Sequence, residues 1–376
     1  MGQRDVNRPE EAPLAERLRE RIRREGAITF RDWMAAALYD SREGYYCRRD
    51  LARWGRGGDY RTAPERSPLF AAAFACYFAT LYEELGSPEV LTIIEAGAGA
   101  GDFAHGLLES LRRTSPHVFD ALRYVIDETS ADARERARNR LAPFIERVEF
   151  RRLDEMGAMP GEGIIFANEL LDAFAVHRVK MRDGKLSELY VGLDRVGAFR
   201  LVEGEPSTLR LADYFERIGV RLREGQIAEV NLEARAWVKR AASRFRRGYL
   251  VLVDYGAEAA ELYQATHRLQ GTLRAFHHHQ FAHDSLAHPG EQDLTTTVDW
   301  THIIKSGEEL GLSLVSFERQ DKFLLRAGLL DQLETMTAGM HSEAEAIALR
   351  SSVRELILPG GMSESFQVLV QKWGFE

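Results

Sequence analysis

The stretch LTIIEAGAGAGD, Leu91 to Asp102, decides the fold. Leu91, Ile93 and Ile94 make a short apolar run of the kind found in a parallel strand covered on both faces. Gly97, Gly99 and Gly101 follow at once. Three residues without a Cβ let the backbone turn tightly, approach a ligand closely and pack the next helix, expected over Phe103 to Arg112, against the sheet. A ligand bound there sits at a helix N-terminus.

Dinucleotide sites also use alternating glycines, in the spacing G-x-G-x-x-G. Here the spacing is G-x-G-x-G, and Glu95 ends the strand, where a carboxylate attracts an ammonium group and repels phosphate. About 30 residues further on, as a βαβ unit requires, RYVIDETS supplies a second strand that ends in Asp127 and Glu128. An acid there can hold ribose hydroxyls. Together these features form the pattern of an S-adenosylmethionine site. The competing reading makes the glycines a plain βα turn and the acids solvated strand ends.

The chain has 376 residues, enough for one elaborated domain or two. Its 45% hydrophobic and 29% charged residues are those of a globular protein, and a net charge of −8 gives no general nucleic-acid footprint. The arginines of RLRERIRREG read as the solvated side of a helix whose buried face is Leu14, Leu18 and Ile22. Two cysteines, Cys47 and Cys76, make neither a disulfide scaffold nor a metal-ligand spacing and fit a reducing compartment. Apolar runs fall short of the roughly 20 residues that span a bilayer. The N-terminus has no apolar signal region, and its early acids argue against a transit peptide. A cytoplasmic setting is expected, or the mitochondrial matrix if the source is organellar.

Residues 1–13 read as a tail and 14–88 as a helical segment, with helices before Gly26, over Phe30 to Tyr39 and over Pro68 to Leu85. A long glycine-rich loop, SREGYYCRRDLARWGRGGDYRTAPERSP, lies within it, and loops of that length are functional or disordered. From residue 89 to 376 strands and helices alternate. Strands are expected at Leu91–Glu95, Tyr124–Glu128, Val148–Phe150, Gly163–Ala167 and residues 248–256. An antiparallel insertion is expected near 176–203, with turns at Asp183-Gly184 and Val196-Gly197, and helical insertions near 206–247 and 329–358. LSLVSFERQDKFLLRAG and ESFQVLVQKWG supply two apolar strands and an antiparallel edge.

Five blocks in order carry a family resemblance: GRGGDYRTAPERSPLF, EAGAGAGD, FANELLDAFAVHRV, GTLRAFHHHQFAHDSLAHPGEQDLTTTVDW and LPGGMSESFQVLVQ. From about Ile28 to Leu369 the chain resembles MidA-type proteins. That resemblance implies an α/β fold with the Rossmann-like sheet of class I methyltransferases, mostly parallel with an antiparallel edge strand. It also implies S-adenosyl-L-methionine as cofactor. The mitochondrial relatives of the family look like complex I assembly factors that dimethylate a protein arginine, so a partner protein with an exposed arginine, such as a respiratory complex subunit, is the implied acceptor. Ala71 and Thr297 depart from residues usual in the family, and the run His277-His278-His279 is unusual for it.

On this reading Gly97, Gly99 and Gly101 line the methionine and ribose moieties, Glu95 senses the ammonium group, and Glu128 takes the ribose. Glu128 is preferred to Asp127 because Glu128-Thr129-Ser130 matches the family's E-x-S. In the long loop Gly58, Asp59 and Thr62 fold over the cofactor, with Glu65 facing the same cleft. Asn168, Glu169 and Asp172 follow the fourth strand at the carboxyl edge of the sheet, where ligands bind. Because carboxylates hold a guanidinium in a planar, bidentate manner, Glu169 and Asp172 are the candidate acceptor residues, with Asn168 orienting the acceptor. Asn168 as a plain helix cap is the other reading. Asp254 binds acceptor or caps a helix; Arg274, Asp293 and Thr295 order a loop over the cleft. No metal is expected, since consecutive histidines cannot converge as separated ligands do. Three other functions remain open: a small-molecule methyltransferase of the same fold, a non-catalytic assembly chaperone that binds S-adenosylmethionine, and a nicotinamide-dependent oxidoreductase.

Overall fold

The computed structural model describes residues 13–49, 51, 62–277, 280–358 and 365–375. In chain order the elements begin with α1 (Leu14–Glu25), β1 (Ile28–Thr29), α2 (Phe30–Tyr39), α3 (Ala63–Arg66) and α4 (Pro68–Glu84). The next are β2 (Leu91–Ala96), α5 (Asp102–Thr114), α6 (Pro116–Ala121), β3 (Leu122–Asp127), α7 (Ala131–Arg140), β4 (Val148–Phe150) and β5 (Glu162–Asn168). Then come β6 (His177–Arg182), β7 (Lys185–Leu193), β8 (Phe199–Gly204), α8 (Arg210–Ile218), β9 (Ile227–Val230), α9 (Leu232–Ala242) and β10 (Arg247–Ala257). The chain continues through α10 (Ala259–Gln264), β11 (Arg274–His277), β12 (Gln280–Phe281), β13 (Asp293–Thr295), β14 (Val298–Asp299), α11 (Trp300–Glu309) and β15 (Ser313–Arg319). It ends with α12 (Gln320–Arg326), α13 (Leu329–Ala338), α14 (Glu343–Ile357) and β16 (Phe366–Trp373).

The central sheet has the order β15-β16-β10-β5-β2-β3-β4. Strands β10, β5, β2, β3 and β4 are parallel, and β16 is reversed between β10 and β15. Every residue of β2 is buried, as a strand covered on both faces requires. On one face α4 and α5 pack through an aromatic stack in which Phe103 lies 4.0 Å from Phe166, centroid to centroid, with Phe74 beside both. The run FAAAFACYF of α4 is apolar all round because α4 is sandwiched between the sheet and the C-terminal helices α12 and α13. The other face is covered by α9 and α11, through Trp237, Val238, Trp300 and Ile303.

A second, antiparallel sheet is built on the insertion: β7 pairs with β6, β8 and β1, and β6 with β9. Strand β9 falls in the segment expected to be helical, and it is a four-residue strand that follows the turn at Gly225. The N-terminal segment is shared between two cores. Leu14, Leu18, Ile22, Phe30 and Trp33 bury against the second sheet and the β11–β13 ladder, whereas α4 belongs to the central sheet. Periodicity marks α1, α2 and α4 as helices but not the surface each one covers. Strands β11, β12 and β13 form a small third sheet in a stretch that carried only loop signals.

Candidate active site

Register alone places the site. Ala96, the last residue of β2, lies opposite Asp127 on one side and Ala167 on the other. Glu128, Gly97 and Asn168 therefore leave three adjacent strands side by side, about 4.8 Å from strand to strand. Val253 of β10 pairs with Asn168, which brings Asp254 beside Glu169. The connections of β2 and β5 run to opposite sides here, at the switch point where open α/β sheets bind ligands. A cleft of about 950 Å³ opens over this row.

On the β2–β3 side the glycine turn is held from within. Gly97 and Gly99 adopt positive φ, +72° and +54°. The Gly97 N–H donates to the Asp127 carbonyl at 2.8 Å. The Gly99 N–H donates to Glu128 Oε2 at 2.9 Å, and the Ser130 N–H donates to Glu128 Oε1 at 2.7 Å. A carboxylate has about four acceptor sites, so Glu128 keeps acceptor capacity toward the cleft. Asp127 instead accepts from Arg152 Nε at 3.0 Å. Glu95 is buried and its Oε2 accepts from the Tyr124 hydroxyl at 2.7 Å. Burial pushes the Glu95 carboxyl up to about 8, against the lowering effect of that hydrogen bond. Burial likewise raises Glu128, opposed by the backbone N–H groups of Ser130, Gly99 and Thr129.

On the β5–β10 side the polar groups have loose ends. Glu169 sits at φ +52°, a left-handed conformation uncommon away from glycine. Its Oε1 accepts from Asn168 Nδ2 at 3.2 Å, and its carboxylate also accepts from the Ala63 N–H at the start of α3. Burial, then the charge of Asp172, pushes Glu169 up to about 8. Asp172 is raised to about 6 by burial, moderated by the Tyr255 hydroxyl and by Arg274. Asn168 Oδ1 and Asp172 Oδ1 are both buried and accept no hydrogen bond from the described residues. Both residues line the cleft, so these oxygens are acceptors that a ligand's N–H groups can use.

The remaining walls come from far along the chain. Tyr39 donates its hydroxyl to the Ala173 carbonyl at 2.8 Å and stacks on Tyr46, which donates to Asp293 Oδ1 at 2.7 Å. The Arg274 guanidinium lies 4.7 Å over the Tyr255 ring and donates to Thr297 Oγ1 at 2.7 Å. Thr62, the N-cap of α3, and Glu65 line the same cleft.

Of the residues singled out in the sequence, Glu95, Gly97, Gly99, Glu128, Thr62, Asn168, Glu169 and Asp172 meet around one cleft. Gly101 does not line it. This glycine is the left-handed N-cap of α5, and a Cβ there would stand 3.1 Å from Ala137 Cβ, so its role is helix packing against α7. Gly58 and Asp59, like His278 and His279, lie outside the described residues. Glu95 lines the cleft and gives Oε2 to the Tyr124 hydroxyl, which leaves Oε1 for an ammonium group. Asn168 belongs to the end of β5 and caps no helix. Tyr39 and Tyr255 were missed. Tyr39 ends an apolar helix pattern and Tyr255 sits in an apolar strand run, and neither pattern signals a cleft.

The donor set suits a cationic, hydroxyl-bearing ligand. Glu95, Asp127, Glu128 and Asp154 all line the cleft. The arginines beside them are committed, Arg152 to Asp127 at 3.0 Å and Arg240 to Asp154 at 3.1 Å. A pyrophosphate in their place would compete with these ion pairs and meet the Glu128 carboxylate, which disfavours a nicotinamide dinucleotide. The fold and this chemistry define a class I methyltransferase.

Residues 73–317 match the profile of a family described as "Putative S-adenosyl-L-methionine-dependent methyltransferase". The chain belongs to this family of S-adenosyl-L-methionine-dependent methyltransferases, of MidA type. The structure is similar to that of a Burkholderia thailandensis protein bound to S-adenosyl-homocysteine, with a TM-score of 0.85 and 30% identity over 98% of this chain and 96% of that one. Among curated relatives, the chain is 27% identical to the mitochondrial protein arginine methyltransferase NDUFAF7 homolog of Drosophila melanogaster, covering 95% of this chain and 84% of the relative. It is 25% identical to the Danio rerio mitochondrial protein arginine methyltransferase NDUFAF7, over 94% of this chain and 85% of the relative. Among the described residues no helix is long and apolar enough to cross a membrane.

Proposed function

We propose that this enzyme methylates an arginine side chain of a partner protein, with Glu169 and Asp172 receiving the guanidinium. The observation behind this reading is the pair of unsatisfied buried oxygens, Asn168 Oδ1 and Asp172 Oδ1, beside the Glu169 carboxylate at the edge of the glycine turn. Planar N–H donors are the natural complement to such a set. The arginine methyltransferase names of the relatives support the same acceptor.

The cofactor supplies a methyl group on a sulfonium, a leaving group that is already activated. The protein therefore needs no covalent nucleophile and has to orient the acceptor nitrogen and keep water away. Glu128 holds the ribose hydroxyls, and Gly97 and Gly99 keep the floor of the site free of side chains. Glu169 takes up the proton that the guanidinium loses on methylation. A carboxyl raised to about 8 is matched to that task near neutral pH. Tyr39, Tyr46 and Tyr255 wall the cleft against solvent. The acceptor is a protein segment with an exposed arginine, in keeping with a respiratory complex subunit. The working compartment is the cytoplasm, or the mitochondrial matrix for an organellar chain.

Incubation with S-adenosyl-L-methionine and arginine-containing peptides or candidate partner proteins, followed by peptide mass spectrometry, tests the reading. Mass gains of one or two methyl groups located on arginine are the expected result. Methylation of small molecules or of other side chains, with arginine unmodified, would overturn it.

A further inference from the structure

We propose that Asp254 is a positioning residue for methyl transfer, a clamp that holds the loop carrying Asn168, Glu169 and Asp172 in place against the cofactor turn. This deepens the reading above and rests on it for the roles of those three residues.

Asp254 is buried and absent from the cleft lining, where its neighbours Tyr255 and Gly256 do appear. Its carboxylate spends both oxygens on backbone. Oδ2 accepts from the Leu171 N–H at 2.9 Å and from the Asp172 N–H at 3.3 Å, and Oδ1 accepts from the Tyr255 N–H at 2.9 Å. The Glu169 N–H donates to the Val253 carbonyl at 2.9 Å, so the end of β10 grips the loop at Glu169, Leu171 and Asp172. Two features make that grip matter. Glu169 is held at positive φ, a conformation that persists only where the surroundings over-determine it. Leu170, between the gripped residues, packs on the cofactor turn so closely that a Cβ on Gly97 would stand 3.0 Å from its Cδ1. The loop therefore ties the acceptor acids to the glycine turn, and Asp254 anchors the loop from behind. The cluster is costly in charge, since Asp172 and Glu169 raise Asp254 further than burial alone does. An acid in that place brings two acceptor oxygens for three N–H donors in a small volume.

The test compares Asp254→Ala with Asp254→Asn, whose side-chain oxygen can still accept from Leu171 and Asp172. Amide exchange in the 169–173 segment, read by mass spectrometry without any acceptor, is expected to quicken by about tenfold or more in Asp254→Ala and to stay near wild type in Asp254→Asn. Methyl transfer at saturating cofactor and arginine peptide is expected to fall by about tenfold or more in Asp254→Ala, with S-adenosyl-L-methionine affinity within about threefold, and to recover largely in Asp254→Asn. Unchanged exchange in Asp254→Ala removes the clamp, and faster exchange with undiminished transfer removes its role in the reaction. If the wild type labels acceptors of a source extract from methyl-labelled cofactor but leaves arginine unlabelled, the arginine reading fails by itself. The same variants read on that label still decide the clamp.

Discussion

The two halves of the cleft are built from the same kind of residue in opposite states. Beside β2 and β3, Glu128 accepts two backbone N–H groups, Asp127 is paired to Arg152 and Glu95 to Tyr124, all within one βαβ unit and its flank. Beside β5 and β10, Asn168 and Asp172 keep unpartnered oxygens, and the walls come from α2, α3, β10 and β11. A half whose ligand is the same in every turnover can be finished in advance. The other half must leave hydrogen bonds for its acceptor to complete, and raised carboxyl groups being common to both halves, what sets it apart is the strained backbone of Glu169.

The sharpest break between the halves is expected from Gly99→Val. Gly99 sits at φ +54°, where a β-branched residue is strained, and its N–H is what fixes Glu128. Cofactor binding should fall by about a hundredfold or more, or vanish, as read by calorimetry with circular dichroism as the folding control. Full affinity in a folded variant would move the cofactor away from this turn.

Glu169→Gln should do the reverse, sparing the cofactor while methyl transfer drops by about one to three powers of ten. The sign of its pH dependence follows from the carboxyl being raised to about 8: it holds its proton below that pH and loses it above. Wild-type transfer should rise with pH toward about 8, and the Gln variant should lose that limb of the profile. Asp172→Asn should cost less, because Tyr255 and Arg274 remain to fix the site. Equal losses of cofactor affinity in both would erase the division between halves.

Within the cofactor half, Glu128→Ala should weaken binding by about 1–3 kcal/mol and Asp127→Ala by less. Glu128 has acceptor sites to spare, whereas Asp127 is engaged by Arg152. The opposite order in a titration would shift the ribose contact by one residue.

The same division explains what could be read from the sequence. The cofactor half is local: strand, glycine turn, helix and second strand lie between Leu91 and Ser130, and each has its own pattern in hydrophobicity or glycine spacing. The parallel pairing of the central strands was expected from the alternation, since parallel strands need crossovers, whereas their order was not. Spacing could not separate Gly97, which faces the cleft, from Gly101, which makes room for Ala137, because both roles demand a missing Cβ. The acceptor half was legible where it abuts β5 and at Thr62, Glu65, Arg274, Asp293 and Thr295, which motif blocks had put near the cleft, but not at its tyrosine walls. Tyr39 reaches it from a distance of 134 residues along the chain, through its bond to Ala173, and nothing in a helical period announces such a contact. Strand β9 was hidden for a simpler reason: four residues are too few for a period to stand out.

The smallest expected effect asks whether the cofactor half is as closed as its hydrogen bonds make it. Glu95 is raised from an ordinary 4.5 to about 8 in the folded protein. An unfolded chain would release that proton first, so between about pH 4.5 and 8 the unfolded state binds fewer protons and the free protein loses stability as pH rises. Glu169 contributes a slope of the same sign, so removing Glu95 alone should reduce the effect and leave part of it. Glu95→Gln keeps an acceptor for the Tyr124 hydroxyl but has nothing to titrate. Between pH 6 and 8.5 the fall in Tm of the cofactor-free protein should shrink by ~2–4 °C in this variant. If the fall is unchanged while Glu169→Gln flattens it, Glu95 is already ionised without cofactor. Water or a cation would then reach it, and the contrast between a finished half and an open one would fail at the strand end beside the glycine turn.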